Sequence, residues 1–291
     1  MRRALVAAAL VAATLGGAAP TRAEPPRPSL RPPSPLWDEL VHPSRARCAR
    51  VIDDAHRLIE SRTSQGREAA VRALSAAAPG CPASPALHAL LGRELVVAGD
   101  FAAARSALER ARALIPDGAD HDAQLAFQLG FVRAMTGDLA GSLVEYRRAE
   151  TLGGLGDEQW LLEYDLGDDL MALGRLEEAI DRYRRSVRLA PSHETMPRLA
   201  LAVALERDDQ LDRARAELDL ALARDAGLRS LASGRFHFLP PGDEHYYRFL
   251  ALRARGQLLP ARRELEAFLI AIPDGPYSAR ARAHLRALGP K

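Results

Sequence analysis

The residues best suited to chemistry fall in one short stretch. His237, Asp243, Glu244 and His245 offer two imidazoles and two carboxylates within nine residues. Zinc accepts such donors at about 2.0–2.2 Å. Their spacing matches no closed structural zinc site, however, and Asp243-Glu244 also stands where acids belong at a helix N-terminus. The neighbouring aromatics Phe236, Phe238, Tyr246 and Tyr247 suit a loop packed over the end of a larger array. Packing is the preferred reading, with a metal-binding or enzymatic site in 228–245 as the alternative. No cofactor is expected.

Other candidates are weaker. The run Gly153–Gly156 lacks the preceding strand and the Lys-Ser/Thr of a phosphate loop, so it reads as a turn between helices. No Gly-x-Ser-x-Gly elbow and no His-Glu-x-x-His is present, and no enzymatic activity is expected. Asp168 and Asp169 are adjacent in a predicted helix, where neighbouring side chains point about 100° apart. The expectation is a solvated or groove-lining acidic face.

Cys48 and Cys81 are the two cysteines of the chain. They flank a predicted antiparallel helical hairpin whose ends lie side by side. An even cysteine count in an exported chain favours a disulfide, and a free buried thiol pair is the alternative.

Composition sets the frame for these side chains. The chain has 291 residues, 47% hydrophobic, with aromatics at only 5%. Ala, Leu, Arg and Glu dominate, which favours helix over a sandwich or barrel. The formal charge of +2 implies no strong field for nucleic acid. Arg2 and Arg3, the apolar run Ala4–Leu15 and Thr21-Arg22-Ala23 read as a secretory leader over 1–23. That run is shorter than the ~20 residues of a membrane span, and a retained anchor is the alternative. Residues 24–45 begin EPPRPSLRPPSP and read as a Pro-rich tether of polyproline II character.

The remainder repeats itself. Gly99, Gly137, Gly174 and Asp209 are separated by 38, 37 and 35 residues, a period that means stacked helical hairpins. Seven residues before each stands a small residue of helix A: Gly92, Gly130, Gly167 or Ala202. Helix B answers with Ala104, Ser142, Ala179 and Ala214, and again with Ala111, Ala149, Ser186 and Ala221. Small residues on both sides predict a close helix crossing. Helices are expected at Cys48–Ser61 and Gly66–Ala77, then at Glu244–Arg255, Leu258–Ala271 and Tyr277–Ala287. The chain thus divides into a leader (1–23), a tether (24–45), a degenerate capping hairpin (46–84), repeats (85–227), an insert (228–242), and a final hairpin with capping helix (243–291).

The series Leu-Gly…Gly-Asp…Ala…Ala…Pro, clearest at Gly92, Gly99, Ala104, Ala111 and Pro116, resembles the tetratricopeptide repeat. The resemblance covers 85–224 most fully. It implies an all-α, right-handed superhelical solenoid whose inner wall is made by helix A. Such arrays commonly hold peptides or protein segments there. On that pattern the groove residues are Arg93, Val96, Phe127, Phe131, Met135, Tyr164, Asp168, Met171, Arg207 and Tyr246. The resulting expectation is an exported, non-catalytic binding scaffold of the cell envelope, sited in the periplasm with secretion as the alternative, and with a protein or peptide partner. The alternative is a structural subunit that binds cell-wall glycan.

Overall fold

A computed structural model describes residues 43–116, 122–232, 239 and 241–289. The leader, the tether up to residue 42, and Phe236, His237 and Phe238 of the insert lie outside the described residues.

The first helix among the described residues, α1 (Pro43–Glu60), opens on a proline. Proline suits that position, where its missing N–H costs nothing and its φ is already helical. The last three residues of the Pro-rich segment are therefore helical. Next come α2 (Ser64–Ala77), α3 (Pro85–Ala98), α4 (Phe101–Ala113), α5 (Ala123–Met135) and α6 (Leu139–Leu152). They are followed by α7 (Gln159–Ala172), α8 (Leu176–Leu189), α9 (Met196–Arg207) and α10 (Leu211–Arg224). A short α11 (Arg229–Ala232) sits in the insert. Then α12 (Asp243–Ala254), α13 (Leu258–Ala271) and α14 (Ser278–Ala287) complete the order. Among the described residues there is no strand, and no helix is long and apolar enough to cross a membrane.

Consecutive helices pair as antiparallel hairpins: α1–α2, α3–α4, α5–α6, α7–α8, α9–α10 and α12–α13. Local chemistry sets their ends. Ser84, Asp100, Asp122 and Asp138 each accept from the backbone N–H three residues on, which caps α3 to α6. Gly99 adopts φ +81°, the left-handed conformation that ends α3. Asp209 holds the same place in the fifth hairpin at φ +57°, a conformation that short polar side chains tolerate better than most.

The helix crossings differ from the expected meeting of small with small. A Cβ on Gly92 would stand 2.5 Å from Leu108, and one on Gly130 or Gly167 2.5 Å from the ring of Tyr146 or Tyr183. Each glycine is a notch that receives a large side chain of helix B. The small residues Ala104, Ala111, Ala149 and Ala179 are fully buried beside it. Tyr146 and Tyr183 thus bury their full rings without pushing the helices apart.

Cys48 in α1 and Cys81 beyond α2 form a disulfide, with Cα atoms 5.8 Å apart. Cys48 lies one turn inside the helix, since α1 starts at Pro43, ahead of the predicted boundary.

Candidate partner-binding groove

The first four hairpins leave an open groove of about 580 Å³. Helix α3 supplies Arg93, Val96 and Val97, and α5 supplies Gln124, Phe127 and Phe131. Ile59 closes one end from α1, and Trp160 and Leu161 the other from α7. The floor is apolar for a local reason. Phe131 packs edge-on to Phe101 at 5.9 Å and Phe127 lies 5.8 Å from Tyr146, so both rings are held largely buried in the groove wall.

The rims carry charge. Glu94 is buried in the groove wall and accepts from Arg67 at 3.0 Å and Arg93 at 3.2 Å. Two arginines on one carboxylate leave that rim positive. Glu158 and Glu194 also line the groove and add negative charge to it. This surface can hold an extended chain by its apolar side chains and orient it by charge.

Of the ten groove residues expected from the sequence, Arg93, Val96, Phe127 and Phe131 come together here. Met135 is half-buried against the core. Tyr164, Asp168, Met171, Arg207 and Tyr246 are buried away from this groove, and within it Phe127 and Phe131 are themselves only 9% and 6% exposed. The sequence reading passed over Gln124 and Leu161, although a signal exists. Each stands thirteen residues before its turn glycine, Gly137 or Gly174, so both occupy one repeat position.

The buried half has its own polar interior, and it corrects the reading of Asp168-Asp169 as a solvated face. Asp165, Asp168 and Asp169 are all buried on α7. Tyr183 donates to Asp168 at 2.6 Å and Tyr146 to Asp165 at 3.4 Å. Helix α7 is covered on both sides, so no solvent face remains for its carboxylates. Burial pushes the carboxyl of Asp169 up to about 7, with Ser142 offsetting part of the shift. Burial also holds Asp165 and Asp168 well above the usual carboxylate range, and repulsion from neighbouring carboxylates such as Asp169 adds to it.

The proposed zinc donors of the insert turn to separate partners. Asp243 pairs with Arg207, Glu244 accepts from the Gly242 N–H at 2.9 Å, and His245 meets Glu264 at 2.7 Å. Among the described residues no group of three ligating side chains converges.

No protein-family model matches the sequence, and no curated protein matches it. Solved structures do. PilW, described as a widely conserved type IV pilus biogenesis factor, aligns over 81% of this chain and 98% of its own at 14% identity, with a TM-score of 0.55. The APC/C hetero-tetramer Cut9–Hcn1 aligns over 88% of this chain and 45% of the other at 14% identity, with a TM-score of 0.54. MamA aligns over 66% of this chain and 98% of its own at 19% identity, with a TM-score of 0.50. At such identities a likeness speaks for the backbone arrangement, not for the ligand. By repeat period, hairpin packing and structural likeness, the described chain has a tetratricopeptide-repeat-like, all-α fold.

Proposed function

We propose that this protein is an exported, non-catalytic scaffold that holds an extended segment of a partner protein in the groove formed by α1, α3, α5 and α7. The observation that carries the reading is a groove whose lining combines Val96, Val97 and the largely buried rings of Phe127 and Phe131 with charged residues of both signs. Aromatic and aliphatic floors supply binding area, and charged rims supply direction and specificity. Glu94 is engaged by two arginines, which suits a counter-ion rather than a general base. The Cys48–Cys81 disulfide supports an oxidising compartment, and the periplasm is the one proposed.

A photo-crosslinking side chain placed at Val97 tests this directly, with one at Val144 as control. Val97 lines the groove, whereas Val144 is exposed on α6. Capture of one protein species from Val97 only, lost on Arg93→Glu while helicity is unchanged, is the expected result. Equal capture from both sites, or capture that survives Arg93→Glu, overturns the reading.

A further inference from the structure

Two guanidinium groups in the groove share one carboxylate. Arg67 donates through Nη1 to one oxygen of Glu94 at 3.0 Å, and Arg93 through Nε to the other at 3.2 Å. The Glu94 side chain is 1% exposed, whereas those of Arg67 and Arg93 are 37% and 43% exposed. The carboxylate is the fixed member, because a buried anion is costly without its partners. It holds both arginines in place from behind. Each spends a single N–H on Glu94, so most of each planar fork's donors are left over. Two cations on one anion also leave a positive charge at the groove surface. A second carboxylate from outside would balance the charge and use the remaining donors, and guanidinium forks match carboxylates well.

The next stretch of the groove is built differently. Gln124 and Gln128 stand four residues apart on α5, on one face of the helix, and both are half-buried in the groove lining. The rings of Phe127 and Phe131 are largely buried behind them. What α5 offers to a visitor is therefore mainly two primary amides, which can both donate and accept. That pair suits the main chain of an extended segment, whose N–H and C=O groups need partners whatever its sequence.

The order of helices sets the spacing. Helices α1, α3, α5 and α7 lie side by side, each touching the next. Neighbouring axes are typically about 8–10 Å apart, and an extended chain rises about 3.3 Å per residue. An acidic residue over Arg67 and Arg93 thus stands about three residues from the main chain over Gln124 and Gln128. Ile59 of α1 lines the groove on the far side of α3, so the groove does not end at the arginines. A chain running through, with a side-chain carboxylate, fits this better than a chain terminus. Beyond α5, Glu158 at the start of α7 and Glu194 before α9 disfavour a second acid.

We infer that Arg67, Glu94 and Arg93 form a subsite for an Asp or Glu side chain within an extended partner segment, whose main chain runs on over Gln124 and Gln128. This inference rests on the groove reading above and adds to it the chemistry of the occupant.

The test is selection of short random segments, displayed with both ends joined to a carrier, on the full chain. Enriched segments should share Asp or Glu at one position. A synthetic copy should bind about tenfold or more weakly when that acid becomes its amide, or when the protein carries Arg93→Gln. Arg67→Gln, on another hairpin, repeats the test should Arg93→Gln fold poorly by circular dichroism. Arg93→Glu should prefer the copy with Lys in place of the acid. Enrichment without a shared acid, affinity indifferent to both arginine variants, or binders found only in a library with free carboxyl termini overturns the inference. Segments that crosslink from Val97 yet show no acidic preference leave the groove standing and remove only the carboxylate subsite; no enrichment from any library counts against both.

Discussion

Arg207 and Asp243 meet inside the protein across 36 residues of sequence, with guanidinium–carboxylate distances of 2.8 and 3.1 Å. The guanidinium lies between two rings, 4.5 Å from the centroid of Tyr246 and 4.0 Å from that of Tyr277. Burial alone would disfavour its charge, and the Asp243 carboxylate more than compensates. This pair ties the end of α9 to the start of α12 across the insert.

Removing one partner should cost more than the pair itself contributes. Asp243→Ala leaves a cation enclosed by protein, a change that typically destabilises by about 3–5 kcal/mol. Denaturant unfolding of Asp243→Ala checks the value. A loss below about 1 kcal/mol would mean that water reaches Arg207 once the carboxylate is gone.

Stability should fall as pH rises from 5 to 8. Asp169 has a folded value of about 7 against 3.8 for an ordinary aspartate. Being raised, it leaves stability intact below 3.8 and reduces it as pH climbs to about 7, at about 1.4 kcal/mol per unit. Asp165 and Asp168 act in the same direction. Glu206 acts oppositely: burial would raise it, but bonds from His284, Arg280 and Tyr246 take it down to about 2. Its stabilisation is present above about 4.5 and is lost as pH falls toward 2. Melting temperatures from pH 4 to 8 should therefore peak on the acid side, and Asp169→Asn should flatten the decline. A profile that rises steadily to pH 8 would contradict the burial of these carboxylates.

The disulfide should matter most at one end. Cys48 and Cys81 enclose 34 residues counting both ends, since their separation is 33. The chain-entropy model gives a loss of about 3–4 kcal/mol on replacing both by alanine. Because hairpins touch only their neighbours, the loss should concentrate in α1 and α2. Limited proteolysis of the double variant should cut there first; cleavage starting in α7 or α8 would argue against it.

Two glycines should fail for different reasons. Gly167→Ala places a methyl 2.5 Å from the Tyr183 ring, whose hydroxyl is committed to Asp168. Overpacking of that kind costs about 1–3 kcal/mol. At Gly99 nothing lies within 4 Å, but φ is +81°. There alanine should cost about 1 kcal/mol and asparagine less, because asparagine tolerates the left-handed region. Thermal melts of the three variants give the ranking. Equal losses for Gly99→Ala and Gly99→Asn would show that the turn conformation is not what limits substitution.

The repeat period and the residues that punctuate it were legible from the sequence alone. Gly99, Gly137 and Gly174 end helices because only their backbone enters the left-handed region without cost, and that is a local property. Small residues facing each other announced hairpins, and two cysteines flanking one hairpin announced a bond. Arg93, Val96, Phe127 and Phe131 line one cavity for a related reason, since position within a repeat fixes which face a side chain takes. What filled the glycine notches was less visible. Tyr146 and Tyr183 look like ordinary helix residues until two helices cross. The fate of Tyr164, Asp168, Met171, Arg207 and Tyr246 was decided only in three dimensions. Their repeat positions match those of the open groove, yet residues 243–289 return across them. A periodic pattern determines which way a side chain points from its own helix; whether another segment lies over it depends on contacts from 36 to 106 residues away. Local sequence carries no record of those.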